Sequence, residues 1–418
     1  MNQKSGGRRA VISVCGCLLV QVCVGIIYLW SVLKGSVAER LGMSAGAAAM
    51  VSSYMLMAFV LGGLFGGILD DRKGARTTCI LGVCLFSAGI GLTALVGSRC
   101  SWLIYLTYAG LGGLGSGFAY SACISCIQKW MPSRRGLASG LAVAAFGLST
   151  VVFAPVFKSL MGHFTGADGM LSFGPFFGTL AGLFLLMGLV GCAMIQPPPM
   201  PEETDGHCVP SLTLSQALHK RAFVYIFLTV FFINGAWNLA TPLLYDLGIA
   251  RGLTPALATL ALSMTGIASA AGRLIMAALS DRLGRRQSIC ILSLLTVAAS
   301  IAMILVSGKA YFAAVSLLAF AYGGPSSVNA AITADCFGPR HSGSIYGVVL
   351  LALGASSMVF NAVSSHLLGG DVTATFIMAA LSALVPLLMM FLLRQESGEA
   401  TPRHAPHFRS AVSHSHIA

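Results

Sequence analysis

The sequence predicts an all-α membrane protein: twelve transmembrane helices in two six-helix pseudo-repeats. Three observations carry that expectation. Of the 418 residues, 56% are apolar and 9% charged, with a mean hydropathy of +0.84; a soluble domain carries about 25% charged residues. Apolar runs long enough to cross a hydrocarbon core of about 30 Å recur twelve times along the chain. Two separate motifs in the first half return in the second, about 210 residues later.

Span 1 is read over 10–33. Lys4, Arg8 and Arg9 precede it as in a secretory signal. Its 24 residues exceed a signal's apolar stretch of about 7–15, and no clear A-x-A site follows, so the span is retained. Spans 2 and 3 (44–69 and 78–97) flank Asp71-Arg72-Lys73-Gly74-Ala75-Arg76, where Gly74 permits the tight turn. Span 4 (102–127) contains Gly110-x-Gly112-x-x-Gly115. A dinucleotide fingerprint needs a preceding strand and an acid about 20 residues on; neither is present, and small residues let membrane helices approach closely. Spans 5 and 6 cover 136–160 and 173–195, with Pro155 expected to bend span 5. Gln196-Pro197-Pro198-Pro199 cannot extend a helix and opens a polar linker carrying Glu202, Glu203 and Asp205.

The second half yields spans 7 to 12 at 222–246, 254–279, 288–306, 310–334, 343–368 and 372–393. Pro242 and Pro325 are expected to bend spans 7 and 10. The tail from Gln395 is polar, and His404, His407, His414 and His416 read as part of a solvated end. The domain reading is therefore 1–195, a linker at 196–221, 222–394, and a tail at 395–418. We expect no metal and no cofactor. Most of the twelve cysteines lie in apolar runs, and the Cys123-x-x-Cys126 pair has no accompanying His pair. They read as small apolar residues.

The net charge of +12 would suggest nucleic acid in a soluble protein. Its distribution excludes that. With these spans, 18 of the 25 Lys and Arg fall on one side and six on the other, leaving Arg273. This is the positive-inside bias, so both termini are expected in the cytoplasm, and the chain is expected in the cell membrane (cytoplasmic or inner membrane). We expect a monomer whose surroundings are the lipid bilayer.

The repeats are specific. Asp71-Arg72-x-Gly74-x-Arg76 recurs at an offset of 210 as Asp281-Arg282-x-Gly284-x-Arg286. Pro132, Gly136, Gly140, Gly147 and Ser149 recur at an offset of 207 as Pro339, Gly343, Gly347, Gly354 and Ser356. Parallel repeats of this kind place a substrate site between the halves near the bilayer midplane. The Asp and Arg residues of the loops are expected to pair across helix ends and latch the halves on one side.

The doubled loop, beginning Gly67-Ile68-Leu69-Asp70-Asp71-Arg72, resembles the signature of the major facilitator superfamily. The segment Gln128-Lys129-Trp130-Met131-Pro132-Ser133-Arg134-Arg135-Gly136, with Tyr28-Leu29-Trp30 and Gly323-Gly324, resembles the oxalate/formate antiporter and monocarboxylate transporter branch.

Arg273 is the informative residue. It lies eight residues before Asp281, about 12 Å along a helix, and so near the midplane. Placing a guanidinium there costs about 2.5–3.5 kcal/mol on the lenient insertion scale. All 13 acids map to loops or helix ends, so no carboxylate offsets that cost. A carboxylate substrate would, because the guanidinium fork matches it with two charge-assisted hydrogen bonds. The resemblance implies the same role for this position. It also implies a span-11 lysine for a second carboxylate, where Leu353 stands, and an Asp where Ser269 stands. A dicarboxylate would leave one charge unpaired, so a monocarboxylate is favoured over oxalate. Lys34, near the outer end of span 1, reads as a snorkelling boundary residue.

Tyr120, Tyr28 and Tyr322 fall inside spans 4, 1 and 10, and a buried phenol can donate to a carboxylate. The resemblance implies a cavity role for Tyr120. Ser269 and Asn234 complete the candidate substrate set; Asn238 and Asn329 are intramembrane amides of the same kind. The expected function is secondary transport of monocarboxylates such as lactate, pyruvate or formate, coupled to an exchanged anion or a proton. The alternatives are an oxalate/formate-type antiporter, and then a proton-driven drug exporter, which lacks a visible intramembrane acid. A transporter-shaped sensor would need a partner-binding domain, and a channel would show no counterflow. Hydrolase and ATPase motifs are absent.

Overall fold

The computed structural model describes residues 3–166, 169–197, 211–368 and 371–399. Span 1 is α1 (Gln3–Val24) and α2 (Trp30–Leu41), joined by a tight 3-10 turn at Gly25–Leu29. Spans 2 and 3 are α3 (Ala45–Lys73) and α4 (Ala75–Thr93). A widened π turn, Tyr105–Leu111, leads into α5 (Gly112–Trp130) of span 4. Spans 5 and 6 are α6 (Arg135–Phe164) and α7 (Phe173–Met194). Within the linker, α8 (Leu214–Leu218) is a short helix closed by a Thr213/Gln216 capping box. Span 7 is broken into α9 (Arg221–Ile233), α10 (Gly235–Ala240) and α11 (Leu244–Ala250). Spans 8 to 12 are α12 (Pro255–Leu283), α13 (Arg285–Leu305), α14 (Ala310–Phe337), α15 (Ser342–Ala362) and α16 (Val372–Glu399).

Eleven helices among the described residues are long and apolar enough to cross a membrane. The helix that departs from the expected twelve is α14. It is 28 residues long, but its middle reads Tyr322-Gly-Gly-Pro-Ser-Ser, and most of it is buried against α12 and α13. A helix that faces other helices rather than lipid needs little apolar surface. The polar tail, His404 to His416 included, and the linker acids Glu202, Glu203 and Asp205 lie outside the described residues.

Packing repeats between the halves. In the first, α3 packs on α5, α4 on α5 and α7, and α1 on α7; in the second, α12 packs on α14, α13 on α14 and α16, and α9 on α16. The repeat extends to single contacts. A Cβ added to Gly62 would collide with the Leu114 carbonyl, and one added to Gly272 with that of Phe320. Both backbones approach closely because glycine leaves the space. Gly272→Val should therefore lower the thermal unfolding midpoint in detergent by several degrees, since overpacking costs about 1–3 kcal/mol. Gly266→Val, on the same helix but facing open space, should leave it unchanged.

Two seams join the halves, α3 against α15 and α6 against α12. Both are tight at the face that carries the Asp71 and Asp281 loops, here the motif face. Toward the opposite face α3 and α15 diverge around a cleft of about 250 Å³ lined by Ser53, Leu56, Met57, Gly354, Ser357 and Asn361. Cys17, Cys79, Cys123 and Cys126 pack as fully buried residues, Cys15, Cys84, Cys100 and Cys336 are exposed, and all described cysteines are free.

Candidate functional site

On α12, Arg273 is only 8% exposed. Its Nη1 donates to the Val143 carbonyl of α6 at 3.2 Å, while its buried Nε has no partner. Among the described residues no carboxylate pairs with it. A guanidinium has five N–H donors, so one neutral carbonyl leaves this cation far from satisfied. Room for it comes from α6: a Cβ at Gly147 would collide with Nη1.

Aromatic rings from three helices gather next to Gly147. Tyr120 on α5 stands edge-on to Phe59 of α3 at 5.1 Å and to Phe146 of α6 at 5.0 Å. Phe146 precedes Gly147 on α6, so the ring cluster and the guanidinium meet the same helix at neighbouring positions. The Tyr120 hydroxyl lies within hydrogen-bonding reach of Tyr346 on α15, whose own hydroxyl donates to the Ser326 carbonyl at 3.2 Å.

The other candidates are dispersed. Ser269 is one turn before Arg273, buried, with an unpartnered hydroxyl. Tyr322 stacks on Trp237 at 4.8 Å and 14°. Asn234 donates to Val230 of its own helix at 2.7 Å, at the break between α9 and α10; its amide serves the helix end. Asn238 donates to Ser356 at 3.3 Å, and Asn329 Oδ1 is buried without a partner. The Tyr28 side chain lies outside the described residues; its backbone falls in the 3-10 turn of span 1. Phe59, Phe146 and Trp237 gave no sequence signal, since an apolar residue in an apolar helix is unremarked; Gly147 stood out only through its repeat at Gly354, and the tertiary contact alone places it beside Arg273.

The motif face is closed by helix ends rather than by the Arg–Asp pairs expected. Asp281 Oδ1 and Oδ2 accept the Gly136 and Leu137 backbone N–H groups, at 2.9 and 2.8 Å, at the start of α6. Asp71 Oδ2 accepts Ser344 N–H at 2.9 Å at the start of α15. Each carboxylate thus crosses to the other half and meets unpaired N–H groups and the positive end of a helix dipole. Among the described residues no ion pair involves Arg72, Arg76, Arg282 or Arg286, and the first three are exposed. The physical reason is geometric. A helix start presents aligned donors, whereas Arg72, Arg76 and Arg282 beside the turns at Gly74 (φ 82°) and Gly284 (φ 95°) are exposed and Arg286 is half-buried with its Nη1 unpartnered. The cation that does act is Arg285, bonded to Asp281 at 2.6 Å and to Asp335 at 2.8 Å, with Arg135 completing a cross-half pair to Asp335 at 2.9 Å. Asp70, buried near Asp71, pairs with Lys129 at 3.3 Å.

The profile described as Major Facilitator Superfamily matches residues 15–253 and 226–417. The chain is 26% identical over 354 residues to an uncharacterized MFS-type transporter of Escherichia coli (strain K12), covering 82% of this chain and 84% of the relative. It is 23% identical to the oxalate:formate antiporter of Oxalobacter formigenes, with 84% and 83% covered. It is 25% identical to the apicoplast pyruvate carrier 1 of Toxoplasma gondii, with 84% and 82% covered. Among solved structures, FucP, a superfamily transporter in the outward conformation, superposes with a TM-score of 0.71 at 14% identity, covering 92% of this chain and 99% of that one.

Proposed function

The chain belongs to the major facilitator superfamily, which comprises transporters and not enzymes, and from that premise we propose that it carries small monocarboxylate anions of the lactate, pyruvate or formate type by alternating access. It is a multi-pass membrane protein and a secondary transporter of the oxalate/formate antiporter and monocarboxylate transporter-like branch. The observation that carries the finer reading is Arg273, a buried cation with one carbonyl partner and an unpartnered Nε. A carboxylate supplies the missing charge and accepts from both arms of the fork.

In this reading Tyr120 faces the bound anion from the aromatic box, and Ser269 offers a free hydroxyl one turn away. Tyr322, Tyr28 and Asn234 are weaker members of the set. Leu353 leaves Arg273 as the single site cation, which disfavours a dicarboxylate. The two relatives named for oxalate, formate and pyruvate support the coarser class of small carboxylates. Asp71, Arg72, Gly74 and Arg76, with Asp281, Arg282, Gly284 and Arg286, form the gate loops of the motif face. We place the chain in the cell (cytoplasmic or inner) membrane, with that face and both termini in the cytoplasm on the 18-to-6 charge bias. The carrier works as a monomer, without cofactor or metal.

Counterflow tests this. Proteoliposomes loaded with unlabelled lactate should take up labelled lactate saturably, with pyruvate competing and oxalate failing to compete. Strong oxalate competition would overturn the single-carboxylate site. Absence of entry for every monocarboxylate would overturn the substrate class.

A further inference from the structure

Beneath the Asp71 latch lies a cluster whose charges do not cancel. Asp70, near the end of α3, has a fully buried side chain; its Oδ2 accepts from Lys129 Nζ of α5 at 3.3 Å, and its Oδ1 has no partner. Asp71 follows it, with Oδ2 on the Ser344 N–H and Oδ1 buried without a partner. A Cβ added to Gly343 would meet Asp71 Oδ1 at 3.1 Å and Asp70 Oδ2 at 3.2 Å. Both carboxylates therefore border one point at the start of α15, across the seam between the halves. The Ser125 hydroxyl of α5, buried and unpartnered, stands beside Asp70.

Two carboxylates thus share one ammonium. The other titratable groups facing Asp70 are the thiols of Cys79 on α4 and Cys126 on α5, which bring no positive charge, and α15 carries no charged residue. Arg72, Lys73 and Arg76 are exposed and in no ion pair among the described residues. The second half differs: Asp281 and Asp335 are met there by Arg285 and Arg135, two acids to two guanidiniums. At the offset of 210 the counterpart of Asp70 is Ser280, and at 207 that of Lys129 is Cys336. The extra acid and its ammonium belong to the first half alone. An excess charge held away from water is costly. A proton cancels it and leaves Asp71 Oδ2 free to hold Ser344.

We infer that the Asp70–Asp71 pair is a proton-binding site, filled while the motif face is closed and emptied when it opens. Opening draws Gly343 and Ser344 away from α3, where the two backbones are so close that a Cβ on Gly67 would strike the Gly343 carbonyl. Water then solvates both carboxylates, and the proton leaves to the solution on that side. The closed form accordingly binds the proton more tightly than the open form. By linkage, acid favours the closed face and opening rises with pH, by at most about tenfold per pH unit for one proton. The site stands apart from Arg273 and holds whichever anion is carried.

Hydrogen exchange of the full chain in detergent tests this without any substrate. Exchange of the Ser344 amide, divided by its intrinsic rate at each pH, measures how often the latch opens. In the wild type that opening should rise about tenfold between about pH 5.5 and about pH 8. Asp70→Asn cannot ionise and leaves one acid to one ammonium, so it should open as rarely at every pH as the wild type does in acid. Lys129→Met removes the ammonium and should move the pH of half-maximal opening upward by about one unit. A flat wild-type profile overturns the site. So does an Asp70→Asn profile with the wild-type slope, since the titrating group then lies elsewhere. Should Asp70→Asn fail to fold, Lys129→Met decides, and an unmoved midpoint overturns the inference.

Discussion

Arg273→Ala is expected to reduce monocarboxylate counterflow at least a hundredfold while leaving the protein as heat-stable in detergent as the wild type, or slightly more so. The two halves of that expectation come from one observation. The guanidinium is buried with Nε unpartnered and a single carbonyl on Nη1. Its removal from the empty protein therefore relieves a desolvated charge and sacrifices one hydrogen bond. In the loaded protein it removes two charge-assisted hydrogen bonds to the carboxylate, each worth about 1.5–3 kcal/mol, and 1.4 kcal/mol is tenfold. A structural arginine would behave oppositely, with stability falling alongside transport. Arg273→Lys should recover only part of the loss, because an ammonium keeps the charge but not the planar fork. Parallel unfolding curves and counterflow rates for the three proteins check this. Wild-type transport by Arg273→Ala would remove the residue from the site.

The second large effect lies at the motif face, where the two latches are unequal. Asp281 accepts two backbone N–H groups from α6 and is also held by Arg285 at 2.6 Å. Asp71 accepts one N–H from α15, and its Oδ1 is buried without a partner. Asp281→Ala should shift the open-to-closed ratio at this face about a hundredfold, on roughly 1.5–3 kcal/mol for each hydrogen bond to a charged group. Asp71→Ala should shift it about tenfold. Trypsin cleavage after Arg134 and Arg135 provides the readout, since Arg135 is tied to Asp335 across the seam in the closed form. Cleavage in detergent should accelerate strongly in Asp281→Ala and mildly in Asp71→Ala. Equal acceleration would mean that the latches share the load.

The asymmetry has a visible origin in the repeats. Position 75 is alanine where its counterpart is Arg285, so the first loop lacks the cation that supports the second. Lys129 approaches from α5 instead, and it pairs with Asp70 rather than with Asp71. The turns themselves are alike, with Gly74 and Gly284 both at positive φ. Identical motifs thus make equal turns and unequal latches.

Membrane class, the doubled plan and the placing of Arg273 as a cation deep in an apolar helix were legible in the sequence alone. Each rests on something local or countable: apolar runs of span length, a turn motif written twice, and a cation in an apolar helix with no acid at its depth. What closes the motif face was decided only by the tertiary structure. The loop aspartates found helix starts in the opposite half, and Arg72, Arg76 and Arg282 stayed exposed, because a row of free N–H groups exists only once α6 and α15 are in place. The surroundings of Arg273 were equally illegible. Phe146 and Phe59 are ordinary residues of membrane helices, 87 positions apart in the chain, and Gly147 was marked by its repeat but not by any link to Arg273. They acquire a role only where α3, α5, α6 and α12 cross, because a contact between helices is a property of their packing and leaves no trace in the period of either one.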